Sequence, residues 1–270
     1  MRESMLTRAI RRANEEDRPA RIPFLTAGYP DPDGFWTALE DLDKSGADIV
    51  EIGLPFSDPV ADGPVVARAG IEAAGRGANL KWLLAGLARV KISAPLVLMS
   101  YANPLLQHAW FETDPEAPLA ARVGASLEAM ARDLKNGGFS GLIVPDVPLE
   151  ESAPYVGALR LAGLDYVPLV GPNTAPERMA RYAPLAGGYV YVVSVLGTTG
   201  VRDRLPPEVG RTLRRAGEAF RLPLALGFGL REPSQLEGLD PRPDAVIFGS
   251  ALLQHLAAEG NCRRFLDPWK

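Results

Sequence analysis

Short apolar runs rich in β-branched residues alternate along this chain with stretches in which apolar positions recur every three or four residues. The runs at 22–27, 49–54, 96–101, 141–145, 166–170, 189–193, 224–227 and 245–248 have the length and composition of buried parallel strands. Between them, 35–45, 79–90, 127–136, 152–162 and 208–220 carry helical spacing. Eight strands alternating with helices predict an α/β chain folded as a (β/α)₈ TIM barrel, with an extra N-terminal helix that puts Arg8, Arg11 and Arg12 on its solvated face. No compositional break divides the chain, so residues 1–270 are expected to form a single domain. An open doubly wound sheet shares the same alternation and is the alternative architecture.

One strand breaks its own pattern. In the segment IVEIGLPFSDPVADGP, residues 49–64, Glu51 lies inside an apolar run, and the following loop, broken by proline and glycine, carries Asp58 and Asp62. A carboxylate inside a strand loses its hydration unless it is paired, protonated or facing a cavity. An acid bonded to structural amides or to an arginine is the plain explanation. A proton donor is the functional one. In a barrel the chemistry gathers at the C-terminal strand ends, and Glu51 lies near one.

The last two strands run into LGFGL at 226–230 and FGSAL at 248–252. Glycines past a strand let backbone amides approach an anion, and Ser250 opens the final helix, whose orphan N–H groups favour a phosphate. Gly200, closing SVLGTTG after the sixth strand, adds a candidate amide. Taken singly, each motif is also what a tight turn or a capped helix looks like.

Composition narrows the chemistry. The net charge of −4 and scattered basic residues argue against a nucleic-acid surface. A single cysteine, Cys262, excludes an intramolecular disulfide and suits a reducing compartment, and no signal peptide or long apolar run is evident, so a cytoplasmic location is expected. Lysine occurs only at 44, 81, 91, 135 and 270, away from strand ends, and histidine only at 108 and 255, which leaves no Schiff-base amine and no hydrolytic metal cluster in prospect. No bound cofactor or metal is expected in this chain. Carboxylates, tyrosines and backbone amides remain, which suits acid/base work on a phosphorylated small molecule. Glu51 and Asp62 form the natural pair: a buried acid that keeps its proton near neutrality, and a wetter one that stays ionised.

Seven motifs then give the chain a family likeness: PFLTAGYP at 23–30, EIGLPFSDPVADGP at 51–64, SYANP at 100–104, PDVPLEES at 145–152, GYVYVVSVLGTTG at 188–200, LGFGL and FGSAL. Over nearly its whole length it resembles the tryptophan synthase alpha subunits. The resemblance implies retro-aldol cleavage of indole-3-glycerol phosphate to indole and glyceraldehyde 3-phosphate. It places Glu51 on the general acid/base, Asp62 on the carboxylate that accepts the indole N–H, and Tyr191 on a supporting tyrosine. Gly200, Gly229, Gly249 and Ser250 fall on the phosphate site, and Phe24, Met99, Ile143 and Phe228 on an apolar slot for indole. It also implies a partner, a β subunit carrying pyridoxal phosphate in an α₂β₂ heterotetramer, met by Phe56, Ser57, Asp58, Pro59, Asn103, Pro104 and Pro148. Three features depart from the pattern: a longer segment at 107–125, Thr198 where many relatives carry valine, and a last helix expected to be curtailed. A stand-alone lyase releasing free indole and a non-catalytic subunit that activates a partner are the alternative functions.

Overall fold

In the computed structural model, which describes residues 3–194, 205–227 and 229–269, nine parallel strands form one curled sheet. In chain order they are β1 Ala20–Thr26, β2 Val50–Gly53, β3 Leu96–Met99, β4 Phe139–Ile143, β5 Asp165–Tyr166, β6 Leu169–Val170, β7 Val190–Val193, β8 Leu224–Gly227 and β9 Ala245–Phe248. The sheet order β5-β4-β3-β2-β1-β9-β8-β7-β6 begins and ends on β5 and β6. These are two pieces of one stave: β5 pairs with β4, β6 pairs with β7, and Val167 donates its N–H to Leu142 at 3.0 Å. The interrupted stave closes the ring. Pro168, which has no N–H to give, sits in the break and still accepts from Tyr191 at 3.0 Å. Eight expected strands therefore become nine segments on a barrel, and the doubly wound alternative falls.

The helices are α1 Met5–Glu15, α2 Pro32–Lys44, α3 Pro64–Gly75, α4 Leu80–Leu87, α5 Ala102–Gln107, α6 Leu119–Asn136, α7 Ala153–Ala162, α8 Pro176–Tyr182, α9 Glu208–Ala219 and α10 Ser250–Glu259. Their starts follow local chemistry. Asp31 accepts from the Gly34 N–H at 2.9 Å and Asn79 from the Trp82 N–H at 3.0 Å, each satisfying an orphan amide of its helix. Helix α6 begins eight residues before the periodic stretch at 127–136, so much of the long 107–125 segment is helical. Arg122, over the Trp110 ring at 4.2 Å and bonded to Thr113 at 3.1 Å, ties that extension down.

Alternation along the strands separates two cores. Val50, Ile52, Leu96, Leu98, Leu142, Val190, Val192, Leu226 and Val246 pack outward under the helices. Ile22, Ile49, Val97, Ile143, Val167, Tyr189, Tyr191, Ala225, Ala245 and Ile247 fill the interior. Helix α1 plugs the N-terminal mouth with Leu6, Ala9, Ile10 and Ala13, and the Thr7 hydroxyl donates to the Gly188 carbonyl at 2.6 Å. Buried guanidinium groups lie at the strand starts. There Arg18 (2.7 and 3.0 Å) and the Arg21 backbone N–H (2.8 Å) hold Asp48. The other end of the barrel is left to carboxylates and phenols.

Candidate active site

Glu51 has the parity of Ile49 and therefore faces the barrel interior, near the C-terminal end of β2. It is 1 % exposed, and among the described residues neither carboxyl oxygen has a hydrogen-bond partner. Structural acids in strands are paired. This one is not. Burial pushes its carboxyl up to about 8, and the nearby charge of Asp62 adds to the rise. The explanation by amide or arginine pairing is thus removed, and the acid holds a proton at neutral pH.

Asp62 sits on the loop between β2 and α3, half-buried. Tyr101, just past β3, donates its hydroxyl to Asp62 Oδ2 at 3.0 Å and accepts from the Ala61 N–H at 3.0 Å. Burial pushes Asp62 up to about 6, and the Tyr101 hydrogen bond pulls the other way. The two carboxyl groups therefore titrate on opposite sides of pH 7, Glu51 above it and Asp62 below it. Tyr101 was legible only as a polar strand-end residue. Its role as the partner of Asp62 depends on the path of the loop, which no local pattern encodes.

Tyr191 is buried on the interior face of β7, where the charges of Glu51 and Asp62 join burial in raising its pKa well above the usual phenol value. Gly227 makes this possible: a Cβ there would lie 2.3 Å from the Tyr191 hydroxyl oxygen. Gly53 does the same for Phe24, whose ring carbon would meet a Cβ at 2.4 Å. Each glycine is a hole filled by a neighbour's ring.

Phe24 and Met99 line a small cavity together with Thr26, Leu54, Phe56, Asp62 and Tyr101. Its volume is about 20 Å³, too small for a bicyclic aromatic ring, so a planar ligand enters only if this lining moves. The Phe56 ring, stacked on Tyr101 at 5.1 Å, forms one wall. Ile143 lies in the interior core rather than on this lining, and Phe228 is outside the described residues. A groove of about 820 Å³ lies at the opposite face, between α1 and the β5 region, far from the carboxylates, and is not the site.

On the other side of the barrel mouth, Gly229 adopts a φ of +85°, a left-handed conformation suited to glycine, and its carbonyl accepts from the Gln235 amide at 3.0 Å. Gly249 is the residue before α10, and a Cβ there would meet only Phe24, at 4.0 Å. Ser250 is the first helical residue rather than the cap, and its buried hydroxyl oxygen has no partner among the described residues. The capping explanation for Ser250 therefore fails, and an unsatisfied hydroxyl is left at a helix N-terminus beside an open backbone. Gly200 and Thr198 lie outside the described residues.

The residues expected to meet a partner lie at the same end, Phe56, Ser57, Asp58, Pro59 and Pro148 on loops and Asn103 and Pro104 in α5. Ser57, Asp58, Asn103 and Pro148 are exposed, whereas Phe56, Pro59 and Pro104 are half-buried. The Ser57 hydroxyl donates to Asp58 at 2.5 Å, and Val60 beside them is 80 % exposed. Asp146, another strand-end acid, accepts from the Ala102 N–H at 3.0 Å and so caps α5. Cys262 is a free thiol beyond α10. It is buried, and its pKa is pushed up to about 12. The chain past α10 packs back on the barrel through Phe265 and Trp269, whose rings lie 5.7 and 4.7 Å from Phe248.

Comparison with known proteins places these features in company. A sequence model described as "Tryptophan synthase alpha chain" matches residues 10–265. The chain is 51 % identical to the tryptophan synthase alpha chain of Nitratidesulfovibrio vulgaris, over 100 % of this chain and 99 % of that one. It is 52 % identical to that of Desulfovibrio desulfuricans, over 99 % and 100 %. Among solved structures it is similar to Mycobacterium tuberculosis tryptophan synthase, with a TM-score of 0.84 at 31 % identity, covering 99 % of this chain and 96 % of that one.

Proposed function

The chain belongs to the tryptophan synthase alpha chain family, and from that premise we propose that it cleaves indole-3-glycerol phosphate to indole and glyceraldehyde 3-phosphate, a carbon–carbon lyase step at the last stage of tryptophan biosynthesis. One observation carries the reading: a fully buried, unpaired carboxyl at about 8 faces an ionisable partner at about 6 across the mouth of the barrel.

Such a pair answers the demand of the reaction. The bond to be broken joins the indole ring to the glycerol chain, and its electrons can leave only if the ring first loses aromaticity. Glu51 donates its proton to the ring carbon that bears the chain. Positive charge then appears on the ring nitrogen, where Asp62, accepting the N–H, stabilises it. The carboxylate of Glu51 next takes the proton of the adjacent hydroxyl, the carbonyl of the aldehyde forms, and the bonding pair returns to the ring. The proton count closes on Glu51. The electron sink is the substrate's own ring, so the step calls for no cofactor in this chain. Tyr191 stands beside both carboxylates as a supporting hydroxyl.

Gly200, Gly229, Gly249 and Ser250 would hold the phosphate, with Ser250 Oγ as the side-chain donor. Phe24, Met99, Ile143 and Phe228 would form the apolar slot. Phe56, Ser57, Asp58, Pro59, Asn103, Pro104 and Pro148 would meet a pyridoxal-phosphate β subunit in an α₂β₂ assembly, with residues 1–270 acting as one catalytic domain. No helix among the described residues is long and apolar enough to cross a membrane, and we place the enzyme in the cytoplasm.

The test is indole release from indole-3-glycerol phosphate by the native chain and by Glu51→Gln, each with and without a β subunit. Loss of at least a hundredfold in the variant is expected, together with stimulation of the native chain by the partner. Near-native turnover by the variant would refute the proton-donor role, whereas vigorous turnover without a partner would favour a stand-alone lyase.

A further inference from the structure

One buried hydroxyl stands beside the acid with nothing to bond. Tyr189 is fully buried on the interior face of β7's approach, and among the described residues its hydroxyl makes no hydrogen bond. An orphaned buried phenol destabilises a fold, and phenylalanine would fill the same space without that penalty. The hydroxyl therefore calls for a use.

Among the described residues, Asp62 on the loop after β2 and the interior-facing Tyr189 and Tyr191 on the β7 side are close enough to Glu51 for their charges to interact. Asp62 is an acceptor and is served by Tyr101. Tyr191 feels the charges of both Glu51 and Asp62. Among carboxylates Tyr189 feels only Glu51, with Tyr191 as its other neighbour, and burial keeps its phenol protonated. Its proton has one carboxylate to meet. Arg18 and Arg21 cannot serve, because both are held by Asp48 at the strand starts.

Before proton transfer Glu51 is neutral and asks for little. Afterwards it is an anion enclosed by the barrel, and an anion there requires a donor. We propose that Tyr189 is a positioning residue for Glu51: its hydroxyl donates to the carboxylate left by proton transfer and holds it where it can take the next proton back. The inference rests on the lyase reading above. The unpaired state of both groups is the arrangement that precedes transfer.

The test is Tyr189→Phe in the full-length chain with its β partner. Indole release is expected to fall by about tenfold to a hundredfold in kcat, the worth of one hydrogen bond to a charged group, with KM within about twofold. Loss of the donor weakens the anion, so the high-pH limb of kcat/KM moves to higher pH. Thermal stability stays equal or rises, because an unpaired hydroxyl has been removed. A second measurement needs no turnover: the ¹³C-carboxyl resonance of Glu51, identified by its absence in Glu51→Gln, should titrate at higher pH in Tyr189→Phe. Native kcat together with an unmoved Glu51 titration would overturn the proposal. Glu51→Gln run alongside separates the two ideas. Activity surviving in that variant defeats the lyase mechanism, whereas its loss beside an unaffected Tyr189→Phe defeats the role of Tyr189 alone.

Discussion

Replacing Glu51 with glutamine should make the protein more stable at alkaline pH while abolishing its chemistry. The carboxyl rises from 4.5 in the unfolded chain to about 8 in the fold. An acid with a raised folded pKa binds more protons in the native than in the unfolded state between those values, so stability falls as pH climbs from about 4.5 to about 8. A difference of roughly 3.5 units at about 1.4 kcal/mol each sets a ceiling of roughly 5 kcal/mol on the penalty above pH 8. Glutamine keeps the shape and never ionises. Urea unfolding of the native chain and Glu51→Gln at pH 5, 7 and 9 should give closely similar midpoints at pH 5 and a gap of at least about 2 kcal/mol in favour of the variant at pH 9. A variant no more stable than the native chain at pH 9 would show that Glu51 finds a partner or solvent when ionised, and the argument from its isolation would fail.

Four further outcomes follow from the same geometry. The pH dependence of kcat/KM should be bell-shaped, falling below about 6 as Asp62 protonates and above about 8 as Glu51 ionises, the two limbs belonging to the pair; Tyr101→Phe, which removes the 3.0 Å bond that lowers the Asp62 pKa, should move only the acid limb, upward by about one unit. Gly227→Ala drives a Cβ to 2.3 Å from the Tyr191 hydroxyl oxygen in a packed interior, and should cost about 1–3 kcal/mol of stability as well as activity, read by thermal melts and indole release. Ser250→Ala should raise KM for the phosphorylated substrate about tenfold without lowering the melting temperature, because the hydroxyl it removes bonds nothing in the free protein; an unchanged KM would remove Ser250 from the phosphate site.

How far the sequence could be read depended on whether a feature was local. Strands at 224–227 and 245–248 were legible to the residue because unbroken apolar runs meet glycine or a helix start. The fifth stave was legible as a strand, but its break at Val167–Pro168 was not, since it arises from pairing with different neighbours on each side. Helix α6 was shortened in the reading because Gly124 and a run of small residues hide a turn that Arg122 and Trp110 secure from outside. Glu51 announced itself by being charged inside an apolar run. Asp62 and Ser250 could be named only as members of a set, and Tyr101 as a partner could not be named at all, because their roles are made by loops and strand ends far apart in sequence.

The site works through what its surroundings withhold. A lysine or arginine inside the C-terminal half of the barrel would pair with Glu51, pull its pKa toward the ordinary carboxylate range and leave it ionised at neutral pH, a base with no proton to give. The fold keeps Arg21, with Arg18 beside it, at the strand starts, bound to Asp48, and places Tyr189 and Tyr191, phenols that carry no charge at neutral pH, on the interior face near Glu51. Asp62 starts from a lower ordinary value than Glu51, 3.8 against 4.5, and rises less: half-buried on a loop and bonded by Tyr101, it ionises about two units earlier. Two chemically similar acids thereby occupy opposite protonation states at pH 7. The division of labour between proton donor and charge stabiliser follows more from the unequal burial of the two acids than from the difference between Glu and Asp.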